Sequence, residues 1–255
     1  MPVVYIHGIW NHPRLSVLKE RWDKALFDND PQKHKLTRMA RWSGVRYAEP
    51  VSDLEVLAAL QAIWQGLTAC DVPPALLTEA GRAWQEALRE ELGTAPSGRL
   101  VRFFLAAFVQ DAAAYFFREG ERRDIQEIFR SELLRQPGPL IVVAHSLGAV
   151  IAYDVLHEGL GVEVTLFCTC GSPLGLKPIQ NLLTKPLSLP PGMRRWRNFL
   201  DPIDPIALGK KVGFEDAEVV NPDRRTWYRA GPHSETGYLR TPEVRQAVGE
   251  VSGAG

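Results

Sequence analysis

The chain has 255 residues, 45% of them hydrophobic and 24% charged, which suits one large α/β domain or two small ones, with ample core. Thirty basic residues balance thirty acidic ones, so no net field draws the chain to nucleic acid or to an anionic membrane surface. Three cysteines, Cys70, Cys168 and Cys170, make no disulfide framework and fit a reducing compartment, and Pro2 opens an apolar run with no basic leader, so a cytoplasmic location is expected.

The first β-type run is Val3–His7, leading into Gly8-Ile9-Trp10, and the second is Leu36–Trp42. From about Ser52 to Gln136 the pattern turns helical. Ser52-Asp53-Leu54-Glu55 has the form of a capping box, and Leu57, Leu60, Trp64 and Leu67 follow at helical spacing. Pro73-Pro74 interrupts, a second amphipathic helix carries Leu77, Ala80, Trp84 and Leu88, and Ala95-Pro96-Ser97-Gly98 is a loop. Leu100–Phe117 is apolar almost all round, but its longest unbroken run, Phe103 to Val109, is far too short to span a bilayer. The next helix presents Ile125, Ile128, Phe129 and Leu133 and stops at Pro137-Gly138. Further β runs follow at Leu140–Ala144, Val162–Cys168, Arg195–Leu200 and Ala217–Val220. A closing helix starts at Thr241-Pro242-Glu243 and buries Val244, Ala247 and Val248.

Strand runs separated by helices or long connections predict an α/β fold with a mostly parallel central sheet of about six strands flanked by helices. Residues 1–51 and 137–255 form the expected core. Residues 52–136 form a helical insertion, partly covering the sheet and partly capping it.

The stretch Ala144-His145-Ser146-Leu147-Gly148 carries the chemistry. A β-branched run precedes it and a good helix former follows, so Ser146 falls on a tight strand-to-helix turn that pushes its hydroxyl outward. Small residues two before and two after the serine let strand and helix pass closely. A serine hydroxyl attacks a carbonyl only when a base removes its proton, and that base needs a carboxylate to orient it. His233, in Gly231-Pro232-His233-Ser234, is the only histidine after His157, and Asp201 and Asp204 both lie between it and Ser146. The oxyanion formed by such an attack needs preorganised amide donors. Leu147, opening a helix, offers one, and Ile9, after a turn at Gly8, offers the second.

These segments, together with Gly171-Ser172-Pro173-Leu174 and Asp204-Pro205-Ile206, resemble the α/β-hydrolase superfamily, in particular its serine esterases and lipases, from residue 3 to about 240. The resemblance implies a sheet lacking the first two strands of the full fold, with Val3–His7 the oxyanion strand and Leu140–Ala144 the nucleophile strand. It implies a serine hydrolase that cleaves a carboxylic ester through an acyl-enzyme, with Ser146 as nucleophile, His233 as base, and Ile9 and Leu147 holding the oxyanion. The order serine, acid, histidine is the family's, and its pattern of an aspartate followed two residues later by an aliphatic residue favours Asp204. Asp201 has the same Asp-Pro-Ile form and stays open. No metal or organic cofactor is required, and the partner is a small ester or acyl substrate. Two alternatives remain: an acyltransferase or thioesterase on the same fold, with Leu100–Phe117 reading an acyl chain or pressing peripherally on a membrane, and a non-enzymatic binding scaffold.

The other polar residues have plainer readings. His7 braces the loop that follows it and His145 is structural. His12, His34 and His157 share no metal-ligand spacing. Asp111 and Tyr115, four apart, suit a structural hydrogen bond. Trp64, Trp84, Phe103 and Phe104 are core or pocket lining, and Ser172 has no base partner.

Overall fold

The computed structural model describes residues 1–9, 12–45, 108, 110–136, 138–202, 204, 206–207, 209–212 and 233–253, with 217–220 as backbone. The capping box at Ser52 and the helices expected between residues 52 and 99 lie outside the described residues. So do Trp64, Trp84, Phe103, Phe104, Cys70 and most of Leu100–Phe117.

Strands β1 (Val3–Ile6), β2 (Thr37–Ala40), β3 (Leu140–His145), β4 (Val164–Cys170) and β5 (Trp196–Phe199) pair in parallel, and the backbone of β6 (Ala217–Val220) continues the pairing beyond β5. The order across the sheet is β2-β1-β3-β4-β5-β6. The central strands read Val-Val-Tyr-Ile and Leu-Ile-Val-Val-Ala-His, with every residue buried. That is the composition of strands covered on both faces.

Alternation along each strand sends its side chains into two separate cores. Val4, Ile6, Val142 and Ala144 join one cluster with Ile125, Phe129 and Leu133 of α3 (Glu119–Leu134) and with α4 (Leu147–Leu156). Val3, Tyr5, Ile141 and Val143 join the other, with Leu18 and Trp22 of α1 (Leu15–Phe27) and with Val244, Ala247 and Val248 of α7 (Pro242–Ser252). Three shorter helices, α2 (Pro31–His34), α5 (Lys177–Leu182) and α6 (Glu235–Leu239), lie in the connections between these elements. Helix α3 packs on β1, β2 and α4. Strand β4 runs on to Cys170, two residues past the expected end, and its two buried thiols lie 4.0 Å apart. Among the described residues no helix is long and apolar enough to cross a membrane.

The helix after Ser146 is tied down by one buried carboxylate. Asp154 on α4 accepts from the Tyr115 hydroxyl at 2.8 Å, Arg122 Nη2 at 2.5 Å, and the Thr184 hydroxyl and amide at 2.7 and 3.3 Å. Tyr115 therefore gives its proton to Asp154, not to Asp111 one helical turn away as the spacing predicts. Removing Asp154 strands a buried phenol and a largely buried guanidinium. Asp154→Ala should cost about 3 kcal/mol or more of stability, read as a lower urea midpoint. A midpoint unchanged from the parent would show that the cluster does not hold α4.

Candidate functional site

Strand β1 connects outward to β2 on one side, whereas β3 leads outward to β4 on the other. Helix connections diverge at such a point and leave a crevice beyond the strand C-termini. Ser146 and Gly8 meet there. Ser146 stands between β3 and α4 with φ +53° and ψ −130°, one of two non-glycine residues with positive φ among those described. Its amide donates to Cys170 O at 3.0 Å, extending the β3–β4 ladder by one step, while its own carbonyl accepts from Ala149 N at 3.0 Å to begin the helix. The backbone reverses between those two commitments. Gly148 makes the reversal sterically feasible, because a Cβ there would lie 2.4 Å from His7 O and 2.7 Å from Ile6 O. Ala144, the small residue before the serine, is fully buried.

The three distant side chains converge. Ser146 Oγ is 2.8 Å from His233 Nε2, and His233 Nδ1 is 2.9 Å from each oxygen of Asp204. All three residues are buried. A carboxylate can only accept, so Nδ1 carries the ring proton and Nε2 presents its lone pair to the serine hydroxyl. The loop after β5 settles which aspartate does this. Asp204 Oδ1 also accepts from Ile206 N at 2.8 Å and Ala207 N at 3.2 Å, capping its own turn. The Asp201 carbonyl accepts from Asp204 N at 3.0 Å. Gly171, at φ +55°, ends β4 beside this group, and a Cβ there would fall 2.7 Å from Asp204 Oδ2.

The loop after β1 lies against the serine, since a Cβ on Gly8 would be 2.5 Å from Ser146 Cβ. Its carbonyls are held by side chains. His7 Nδ1 donates to Gly8 O at 2.7 Å, His12 Nε2 to Ile9 O at 2.8 Å, and Trp42 Nε1 to His7 O at 2.8 Å. Arg41 donates to His12 O at 2.8 Å and to Pro13 O at 2.7 Å. His7 Nε2 in turn accepts from Trp42 N at 3.1 Å, so the His7 tautomer is fixed as neutral with its proton on Nδ1. In a trans peptide the carbonyl and the next N–H point oppositely, so the bond to Gly8 O also sets the direction of the Ile9 amide. His7 thus braces this loop. Among the described residues the Ile9 and Leu147 amides donate to no backbone carbonyl.

Burial first, and the neighbouring His12 second, hold His7 well below the usual imidazole range. Burial and then the adjacent His233 do the same to His145, whose ring centroid is 4.7 Å from that of His233. Burial, then the charge of Asp204, pushes the Tyr238 phenol up. No sequence motif marks Tyr238. Its hydroxyl donates to Asp204 Oδ2 at 2.7 Å. The available signal was a helix start at Ser234 just after His233, which returns the chain to the same aspartate. Ser172 Oγ caps the turn at Leu174, a structural role. Among the described residues no three ligating side chains gather as a metal would need.

A residue held at the φ and ψ of Ser146 is strained by about 1–3 kcal/mol, which glycine relieves. Ser146→Gly should therefore be more stable to urea than Ser146→Ala, and the reverse order would refute the strained turn. The folded pKa of His145 lies below that of the unfolded ring, so the unfolded chain binds the extra proton as pH falls below about 6.5, and stability drops by up to about 1.4 kcal/mol per pH unit for this group. Above that pH the contribution is complete. His145→Gln should flatten the acid side of the stability profile, and an unchanged slope would show that the ring titrates normally. Comparison of the sequence with protein-family models gives no match, and comparison with curated proteins gives none.

Proposed function

We propose that this chain is a serine hydrolase with an α/β-hydrolase fold, cleaving a carboxylic ester through an acyl-enzyme. The observation that carries the reading is the hydrogen-bonded line from Ser146 Oγ through the His233 ring to Asp204. Order along the sheet supports it: the serine follows β3, the aspartate β5 and the histidine β6.

In this reading Ser146 Oγ bonds to the ester carbonyl carbon while His233 Nε2 takes the hydroxyl proton. The carbonyl π electrons move to oxygen, and the Ile9 and Leu147 amides receive the resulting oxyanion. Collapse expels the alkoxide, which leaves as an alcohol with the proton held by His233. Water then repeats the sequence on the acyl-serine and releases the acid. Asp204 keeps the imidazole in the Nδ1–H tautomer and stabilises the imidazolium formed in each half-reaction. Burial strengthens each of these interactions, because little water is present to screen them.

The test uses a short p-nitrophenyl ester and a fluorophosphonate probe. Wild type should hydrolyse the ester and take up one probe at Ser146, located by peptide mass. Ser146→Ala should lose hydrolysis by about 10⁴-fold or more and take up no probe, while unfolding at a similar temperature. Wild-type protein that is folded yet neither labels nor hydrolyses, or a Ser146→Ala variant as active as its parent, would overturn the reading.

A further inference from the structure

Tyr238 stands behind the proposed acid, on the short helix α6 that follows His233. It is buried, at 3% exposure. Its oxygen accepts the Asp201 amide proton at 2.9 Å and lies 2.7 Å from Asp204 Oδ2. An amide N–H can only donate and a carboxylate can only accept. The phenol proton therefore has one destination, Asp204, and its direction is fixed by the partners alone. Gly171 clears the space for the ring, since a Cβ there would stand 3.0 Å from Tyr238 Cε2. The Ser234 side chain caps α6 by accepting from Gly237 N, and the Ser234 carbonyl accepts from Tyr238 N at 3.1 Å. The element that carries the phenol is thus anchored beside His233 itself.

We infer that Tyr238 is a positioning residue of the proposed hydrolase, a committed hydrogen-bond donor to Asp204 that sets the basicity of His233. This rests on the reading of Ser146, Asp204 and His233 given above. Asp204 Oδ1 is held by two amides, and Tyr238 gives Oδ2 a neutral donor. Each donor stabilises the carboxylate anion and weakens its pull on the imidazole proton. Without the phenol, the carboxylate draws the imidazolium more strongly and His233 becomes harder to deprotonate. The other titratable groups facing this cluster among the described residues are His145 at the end of β3, whose ring centroid is 6.0 Å from that of Tyr238, and Asp201. His12, from the loop after β1, acts on His145 in turn. Burial and then the charge of Asp204 push the phenol up, so Tyr238 keeps its proton near neutral pH.

The test titrates His233 directly by ¹H–¹⁵N correlation of the ring nitrogens, assigned with His233→Gln, in wild type, in Tyr238→Phe and in protein carrying 2,3-difluorotyrosine at position 238. Tyr238→Phe should raise the His233 pKa by roughly half a unit to one unit, and the fluorinated phenol, a stronger donor of similar shape, should lower it. In ester hydrolysis the acid limb of kcat/KM should move the same way in each case, and the plateau for Tyr238→Phe should fall roughly tenfold through kcat with KM unchanged. If Tyr238→Phe does not fold, the fluorinated protein decides alone. A His233 pKa that stays put in the folded variants overturns the role of Tyr238. Absence of hydrolysis and of probe labelling in wild type overturns the hydrolase reading instead, and the ring titration still decides whether the phenol tunes His233.

Discussion

The site depends on one steric constraint, the closeness with which the turn from β3 into α4 crosses the end of β1. A hypothetical Cβ on Gly148 would overlap the carbonyl oxygens of Ile6, at the end of β1, and of His7 just after it, so the first turn of α4 has no lateral freedom. Ser146 is squeezed between a ladder bond to Cys170 and the first helical bond from Ala149, and it reaches both only at positive φ. Strain of about 1–3 kcal/mol persists only where surrounding contacts over-determine it. Here β3 and α4 are buried along their whole lengths, and Asp154 ties the far side of α4 to Tyr115, Arg122 and Thr184. The strained turn is a consequence of a well-packed core meeting at a switch in strand order, and the same turn holds the serine oxygen 2.8 Å from the His233 ring.

The loop after β1 shows how irregular backbone is made rigid. Among the described residues its carbonyls have no strand partner, and buried carbonyls without partners are costly. Side chains supply the missing donors: His7, His12, Trp42 and Arg41 between them satisfy the carbonyls of residues 7, 8, 9, 12 and 13. The arrangement requires His7 to be neutral, because its Nε2 accepts from Trp42 N. Burial enforces that neutrality. Stability toward acid is lost in exchange for amides held at fixed angles beside Ser146.

Local sequence was enough for the elements whose residues choose their own conformation. The β-branched runs at Val3 and Leu140 are buried on both faces wherever they pair, so their strands were legible. The turn at Ser146 was legible because small residues flank it at the spacing that close packing requires. The edge strand β2, reading Thr-Arg-Met-Ala, is shorter than the expected Leu36–Trp42. Trp42 leaves the sheet for a 3₁₀ turn so that its indole and amide can bond to His7. The sequence leaned to Asp204 without excluding Asp201, since both precede Pro-Ile. Groups 29 and 34 residues further along the chain, the ring of His233 and the phenol of Tyr238, determine the choice. Tyr238 itself belongs to no short motif; its importance comes from where a capped turn after His233 delivers it.

Asp204 shows why those remote groups belong to one device. An isolated carboxylate at zero exposure would be expensive to keep charged, and it would take a proton sooner than orient an imidazole. The two amides on Oδ1, the phenol on Oδ2 and the imidazole N–H across both oxygens replace the lost hydration with fixed donors. In the proposed hydrolase three of these donors are neutral and stay where they are as His233 takes a proton, so the anion meets the new positive charge without reorganising. A site wetter than this would screen the attraction, and a site with fewer donors would neutralise the acid. Burial of the serine, histidine and aspartate together is therefore compatible with proton transfer at Ser146 only because the chain brings its own dipoles to the carboxylate.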